Sequence, residues 1–90
     1  MYAVFVQATI DPERADEALA QLRSDVVPRV KQVPGFVAGY WTRTEGGGRS
    51  CLVFESEGAA QQVIEMIRTQ PTPTGVTIDS AVAAEVVASA

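Results

Sequence analysis

The chain has 90 residues, 47% of them hydrophobic and 20% charged, with one cysteine, no histidine and no asparagine. Without an imidazole there is no Ser-His or Cys-His nucleophile pair, no His-held haem and no nitrogen ligand for zinc, so neither a metal site nor a bound cofactor is expected. Seven Lys and Arg against eleven Asp and Glu leave a net charge of −4, the wrong sign for a surface that binds a phosphate backbone, which argues against nucleic acid as a partner.

Residues Tyr2 to Ile10 are rich in β-branched and aromatic side chains and predict a strand with both faces mostly apolar. This run lacks a basic stretch ahead of it and ends at Asp11-Pro12, too short for a signal peptide or a membrane span. Cys51 has no partner for an intrachain disulfide, so a cytoplasmic protein with no membrane partner is expected. Asp11 predicts a helix cap with Pro12 at the first position, and Ala15, Ala18, Leu19, Leu22, Val26 and Val30 come after it along one helical stripe. Pro28 removes the bond to the Ser24 carbonyl, which predicts a kink or restart before Val33-Pro34-Gly35 ends the element.

Phe36 to Arg43 predicts a second strand and Arg49 to Glu55 a third. Between them Thr44-Glu45-Gly46-Gly47-Gly48 predicts a hairpin turn whose glycines supply positive φ; a phosphate loop would instead lead into a helix and carry a Lys. Ser56 predicts the cap of a second helix running to about Gln70, Pro71 to Gly75 a linker, and Val76 to Val87 a last strand. The order βαββαβ predicts one α+β, ferredoxin-like domain over residues 1–90, with a four-stranded antiparallel sheet and both helices on one face.

Four strands at roughly 4.8 Å spacing make a sheet about 19 Å wide, which two helices of about 10 Å diameter cover once. The strands do not alternate as a sheet with one wet face should: Val4, Phe5 and Val6 are consecutive, as are Leu52, Val53 and Phe54. The uncovered face therefore predicts a second copy of the chain as partner, in a homodimer or higher even oligomer with a shared barrel-like interior.

Strand parity distributes the candidate functional residues. A long cation fits poorly under helices, so Arg43 is placed on the interior face with Trp41, Gly39 and Val37, and Phe36, Ala38 and Tyr40 face the helices. Gln7 and Thr9, with Ala3 and Phe5, fall on the interior face, as do Cys51 and Glu55, and Leu52 and Phe54 face the helices. Asp79 is placed across the interior from Arg43 as an ion-pair partner.

The chain resembles the dimeric α/β-barrel superfamily, and within it the small proteins grouped around the antibiotic-biosynthesis monooxygenases. The resemblance covers nearly all of the chain. It rests on the element order, the Pro34-Gly35-Phe36 entry into the second strand, and the passage Val53-Phe54-Glu55-Ser56 followed by Ala59 and Ala60. It implies a homodimer and a family that includes cofactor-independent monooxygenases acting on polycyclic phenols, haem-degrading enzymes and lactone isomerases. Haem-degrading members use an Asn, a Trp and a His; this chain has neither Asn nor His, which argues against that route. The alignment sets Phe54 at the third-strand position where family enzymes carry a cavity Trp, opposite to its parity assignment, and both placements stand open at this point.

Cofactor-free oxygenation needs aromatic walls, one or two polar groups to orient a hydroxyl, and a dry cavity. The expected ligand-binding residues are Gln7 to orient a phenol or hydroquinone, Trp41 as the wall, Arg43 to stabilise the phenolate, and Asp79 beside Arg43. Each also has a plainer reading: core packing for Trp41, an ion pair for Arg43 and Asp79, a backbone or water partner for Gln7. Cys51, mid-strand with no activating base, reads as a small core hydrophobe. The alternative is a non-catalytic homodimer that binds a small apolar or aromatic ligand or serves as an assembly domain; the shape of the cavity separates the two.

Overall fold

The computed structural model describes residues 1–90. Strand β1 (Tyr2–Ile10) runs into a helical segment built of a 3₁₀ turn (Pro12–Arg14), helix α1 (Ala15–Gln21), a widened π-type turn (Leu22–Val26) and helix α2 (Val27–Lys31). Strands β2 (Phe36–Thr44) and β3 (Gly47–Phe54) form a hairpin, followed by helix α3 (Glu57–Thr69) and strand β4 (Val76–Glu85). The helix starts are set by their caps: the Asp11 carboxylate accepts the Glu13 N–H at 3.0 Å, and the Ser56 hydroxyl accepts the Ala59 N–H at 3.2 Å. At Pro28 the helical segment restarts, as expected: α2 begins at Val27 with Pro28 in its first turn, after the wide turn. The Val27 N–H reaches back five residues to the Leu22 carbonyl, and the added residue moves the backbone away from the proline ring.

The sheet has the order β2-β3-β1-β4 with every neighbour antiparallel, the ferredoxin-like arrangement the element order predicts. One face carries the core, in which Val4, Leu52 and Phe54 from the strands meet Val30 and Val33 of the first helical segment and its exit, and Ala60, Val63 and Ile64 of α3. Phe54 is fully buried and packs edge-on against Phe36, with ring centroids 5.8 Å apart and planes at 72°. Its helix-facing parity therefore holds, and the alignment that turned it toward a barrel cavity does not. The hairpin is tighter than predicted: Gly47 and Gly48 already belong to β3, and of the three glycines only Gly46 has positive φ, +75°. Gly47 is small for a different reason, since a Cβ there would overlap the Ala8 carbonyl oxygen of β1.

Candidate functional site

The face of the sheet away from the helices reads across β2, β3, β1 and β4 as Tyr40, Cys51, Phe5 and Val82, with Ala38, Val53, Ala3 and Ala84 in the next row toward one end. Toward the other end the row is polar: Thr42, Arg49, Gln7 and Ser80. Directly opposed antiparallel residues share a face, so Gln7, Thr9, Phe5 and Cys51 lie where parity put them. In β2 parity fails. The register slips between Phe36 and Ala38, and the extra residue, Val37, exchanges the two sides of everything after it. Tyr40, 67% exposed, turns to the open face, whereas Trp41 packs against the core with Gly39 beneath its ring and Leu52 beside them.

Arg43 stays on the same side as Trp41, as expected, but that side is the helix side. It stands opposite Gly48 near the end of β2, exposed to solvent past the core, which is how a guanidinium is tolerated there. Asp79 is a correction as well. Strands β2 and β4 are the two edges of the sheet, so Arg43 and Asp79 cannot pair within one chain, and Asp79 instead accepts a 2.7 Å hydrogen bond from the Thr9 hydroxyl. The irregularity between Gln7 and Ala8 that leaves Asp79 out of the ladder brings the two together.

The four expected site residues therefore do not converge. An open cavity lies elsewhere, between α3, the segment after it and β4. Its mouth, about 500 Å³, is lined by Arg68, Gln70, Thr72, Asp79 and Ser80 beside Ile67, Ile78 and Ala81. It shares Ile67, Gln70, Thr72 and Ile78 with a narrower apolar throat of about 80 Å³ that runs under α2, where Val26, Val30 and Met66 form the wall and Arg29 stands at the rim. Of the expected residues only Asp79 borders this cleft, with its carboxylate turned to Thr9 on the other face of the sheet. Pro71 and Pro73 make part of its wall: two prolines fix φ and lack N–H groups, so the strap borders the cavity with two fewer donors to satisfy. The strap is held from the other side by Gln21, whose amide donates to the Thr74 hydroxyl at 3.1 Å and accepts the Thr74 N–H at 2.8 Å.

Two further features bear on chemistry. The Tyr2 hydroxyl points to Glu85 at 3.5 Å, and its pKa is raised above the ordinary tyrosine value by the Glu57 carboxylate first, then by burial and by Glu85. No three His, Cys, Asp or Glu side chains converge as metal ligands do, and no helix is long and apolar enough to cross a membrane.

The fold defines the class: an α+β ferredoxin-like protein with a four-stranded antiparallel sheet and its helices on one face. No protein-family model matches the chain, and no curated protein matches it significantly. Solved structures do. HapK from Hahella chejuensis superposes with a TM-score of 0.71 at 13% identity, covering 100% of this chain and 96% of that one. The heme-degrading protein from Mycobacterium tuberculosis gives 0.62 at 22% identity over 100% and 99%. The monooxygenase ActVA-Orf6 of Streptomyces coelicolor, in complex with Nanaomycin D, gives 0.62 at 17% over 99% and 89%. At these identities the likeness is one of fold.

Proposed function

We propose that the protein is a homodimeric, cofactor-independent monooxygenase whose substrate is a small hydroxylated aromatic, of phenol or hydroquinone type, held in the cleft between α3 and β4. The observation that carries this reading is the cleft's division into an apolar throat and a polar mouth bearing one cation, Arg68. A planar ring with a hydroxyl matches that division. In this reading the ring enters between Ile67 and Ile78, and the hydroxyl lies toward Arg68 in the mouth. Arg68 then stabilises the phenolate as the proton leaves. The electron-rich ring reduces oxygen directly: one oxygen atom enters the ring, the other leaves as water, and the substrate supplies all four electrons as it becomes a quinone. The fold neighbours lend support at the coarser level of oxygenase chemistry. Haem fits poorly as a resident group, because the cleft presents no imidazole, thiolate or phenolate and its one thioether, Met66, packs against the core. Gln7, Trp41 and Arg43 lie off the cleft and have no part in this reading.

Oxygen uptake with a naphthohydroquinone provides the test. The wild-type protein is expected to exceed the uncatalysed rate, and Ile67→Trp, which fills the slot, and Arg68→Gln, which removes the cation, are each expected to lower kcat/KM about tenfold or more. A wild-type rate equal to the uncatalysed one overturns the monooxygenase reading. Aromatic binding without oxygen uptake then leaves a ligand-binding dimer.

A further inference from the structure

Pro28 sits inside a helical segment that is otherwise continuous. Gln21 (φ −66°, ψ −35°) and Val27 (φ −58°, ψ −49°), on either side of the π-type turn, both keep right-handed helical dihedrals. What the proline changes is the hydrogen bonding. An α-helix would give the Ser24 carbonyl the N–H of residue 28; proline has none, and its ring would press on that carbonyl. The turn widens by one residue, Val27 bonds back to Leu22, and α2 restarts with Pro28 in its first turn, where a missing N–H is tolerated. One added residue rotates the downstream turns by about 100° relative to an unbroken α-helix. The segment cannot absorb that rotation by swinging, because both ends are pinned. Gln21 is tied to Thr74, and Val30 and Val33 are set in the core. Between the pins lie Val26 and Arg29, at the throat of the cleft. Pro28 itself is exposed, so packing does not account for a residue so unfavourable to a helix.

We propose that Pro28 is a positioning residue for the cleft: by denying the Ser24 carbonyl its α-helical donor it maintains the wide turn, and the wide turn sets Val26 and Arg29 at the throat. The inference rests on the cleft being the ligand site. It places a device that weakens the helix where that weakness shapes a cavity, as expected at functional positions that break a local rule.

The experiment compares wild type, Pro28→Ala and Val26→Trp, reading 1-naphthol affinity by calorimetry and Tm by circular dichroism. Alanine supplies the missing N–H, so the wide turn, which the pinned ends preserve, is no longer confined to Leu22–Val26 and can migrate along the segment; Pro28→Ala is therefore expected to hold Tm while weakening 1-naphthol binding about tenfold, since a preorganised wall has been moved. Val26→Trp, which fills the throat, is expected to abolish binding in a folded protein. Wild-type affinity in Pro28→Ala overturns the role of Pro28 and leaves the cleft standing. A fall in Tm that accompanies the weaker binding also overturns it, because Pro28 is then merely structural. Absence of binding by the wild type, or undiminished binding by Val26→Trp, overturns the cleft as ligand site and the role of Pro28 with it.

Discussion

Trp41 lies across Gly39 on the helix-facing side of β2, with its Cζ3 2.9 Å from where a Cβ on Gly39 would stand and Leu52 Cδ2 3.2 Å from the same point. Contacts that short cannot be relieved by a flexible end, because an indole ring and a core leucine form them. Gly39→Ala is therefore expected to destabilise the protein by about 1–3 kcal/mol through overpacking, and an unchanged urea midpoint would show that the ring is not seated there. The same pair explains what could and could not be read from the residues in order. Gly39 and Trp41 share a face whatever the register, and that was legible; which face it is depends on the extra residue at Val37, which no alternation pattern announces. The cation rule that steered Arg43 and Trp41 to the open face failed because Arg43 stands in water near the end of β2. At Tyr2 the electrostatics yield a signed expectation. Its hydroxyl is held above the ordinary value, so the neutral form is favoured in the folded state; this contribution is complete below the unfolded pKa of about 10 and is lost as pH rises through the higher folded value. An ultraviolet titration of tyrosinate is expected to show a late-ionising tyrosine that returns toward the ordinary value in Glu57→Gln, and less so in Glu85→Gln, in the order of the two charges' effects.

Among the elements, the strap from Pro71 to Gly75 is the least regular and the most tied down. The Asp11 N–H donates to the Gly75 carbonyl at 2.9 Å, the Thr72 hydroxyl to the Val76 carbonyl at 3.0 Å, and Gln21 clasps Thr74 through both ends of its amide. Gln21→Ala leaves the half-buried Thr74 N–H without its acceptor, and a loss of about 1–3 kcal/mol is expected by chemical denaturation. Gln21→Glu is expected to stay near wild type, because a carboxylate accepts the N–H and the Thr74 hydroxyl can turn to donate. If alanine and glutamate cost the same, the clasp does not hold the strap. The caps at Asp11 and Ser56, the hairpin and the four strands were legible because each is local: a capping oxygen, a glycine or an alternation within a few residues. The cleft was not legible. It is walled by Val26 from one helix, Ile67 from another, Ile78 from a strand and Pro71 from the strap, and their meeting depends on the sheet order and on the wide turn before Pro28.

The whole molecule has one sheet face committed to the core and one that is not. On the second, Phe5 is 51%, Val82 58% and Tyr40 67% exposed, all in one row with Cys51. A face of four strands, about 19 Å wide and about 30 Å long at the usual strand spacing and rise, approaches the ~800 Å² per partner of a stable interface only if nearly all of it is used. That requirement constrains the geometry of a two-fold pair. With the axis along the strands, the row containing Phe5 and Tyr40 stacks on its own copy and the row containing Arg49 and Gln7 on its own. With the axis across the strands, the guanidinium of Arg49 would be driven toward the apolar end of the partner, where its charge would lose water. The first arrangement is the favoured one, and in it each Arg49 faces the Gln7 of the opposite copy. A sedimentation mass near twice 9.6 kDa is expected at micromolar concentration, with Phe5→Glu reducing it to the single-chain value because a like-charged row then meets itself. Each copy carries a net −4, so the association is expected to tighten modestly as salt screens the mutual repulsion of the two chains. Dissociation on raising salt would point to an interface held by ion pairs rather than by the apolar row, and a wild-type mass near 9.6 kDa would leave that row without its partner.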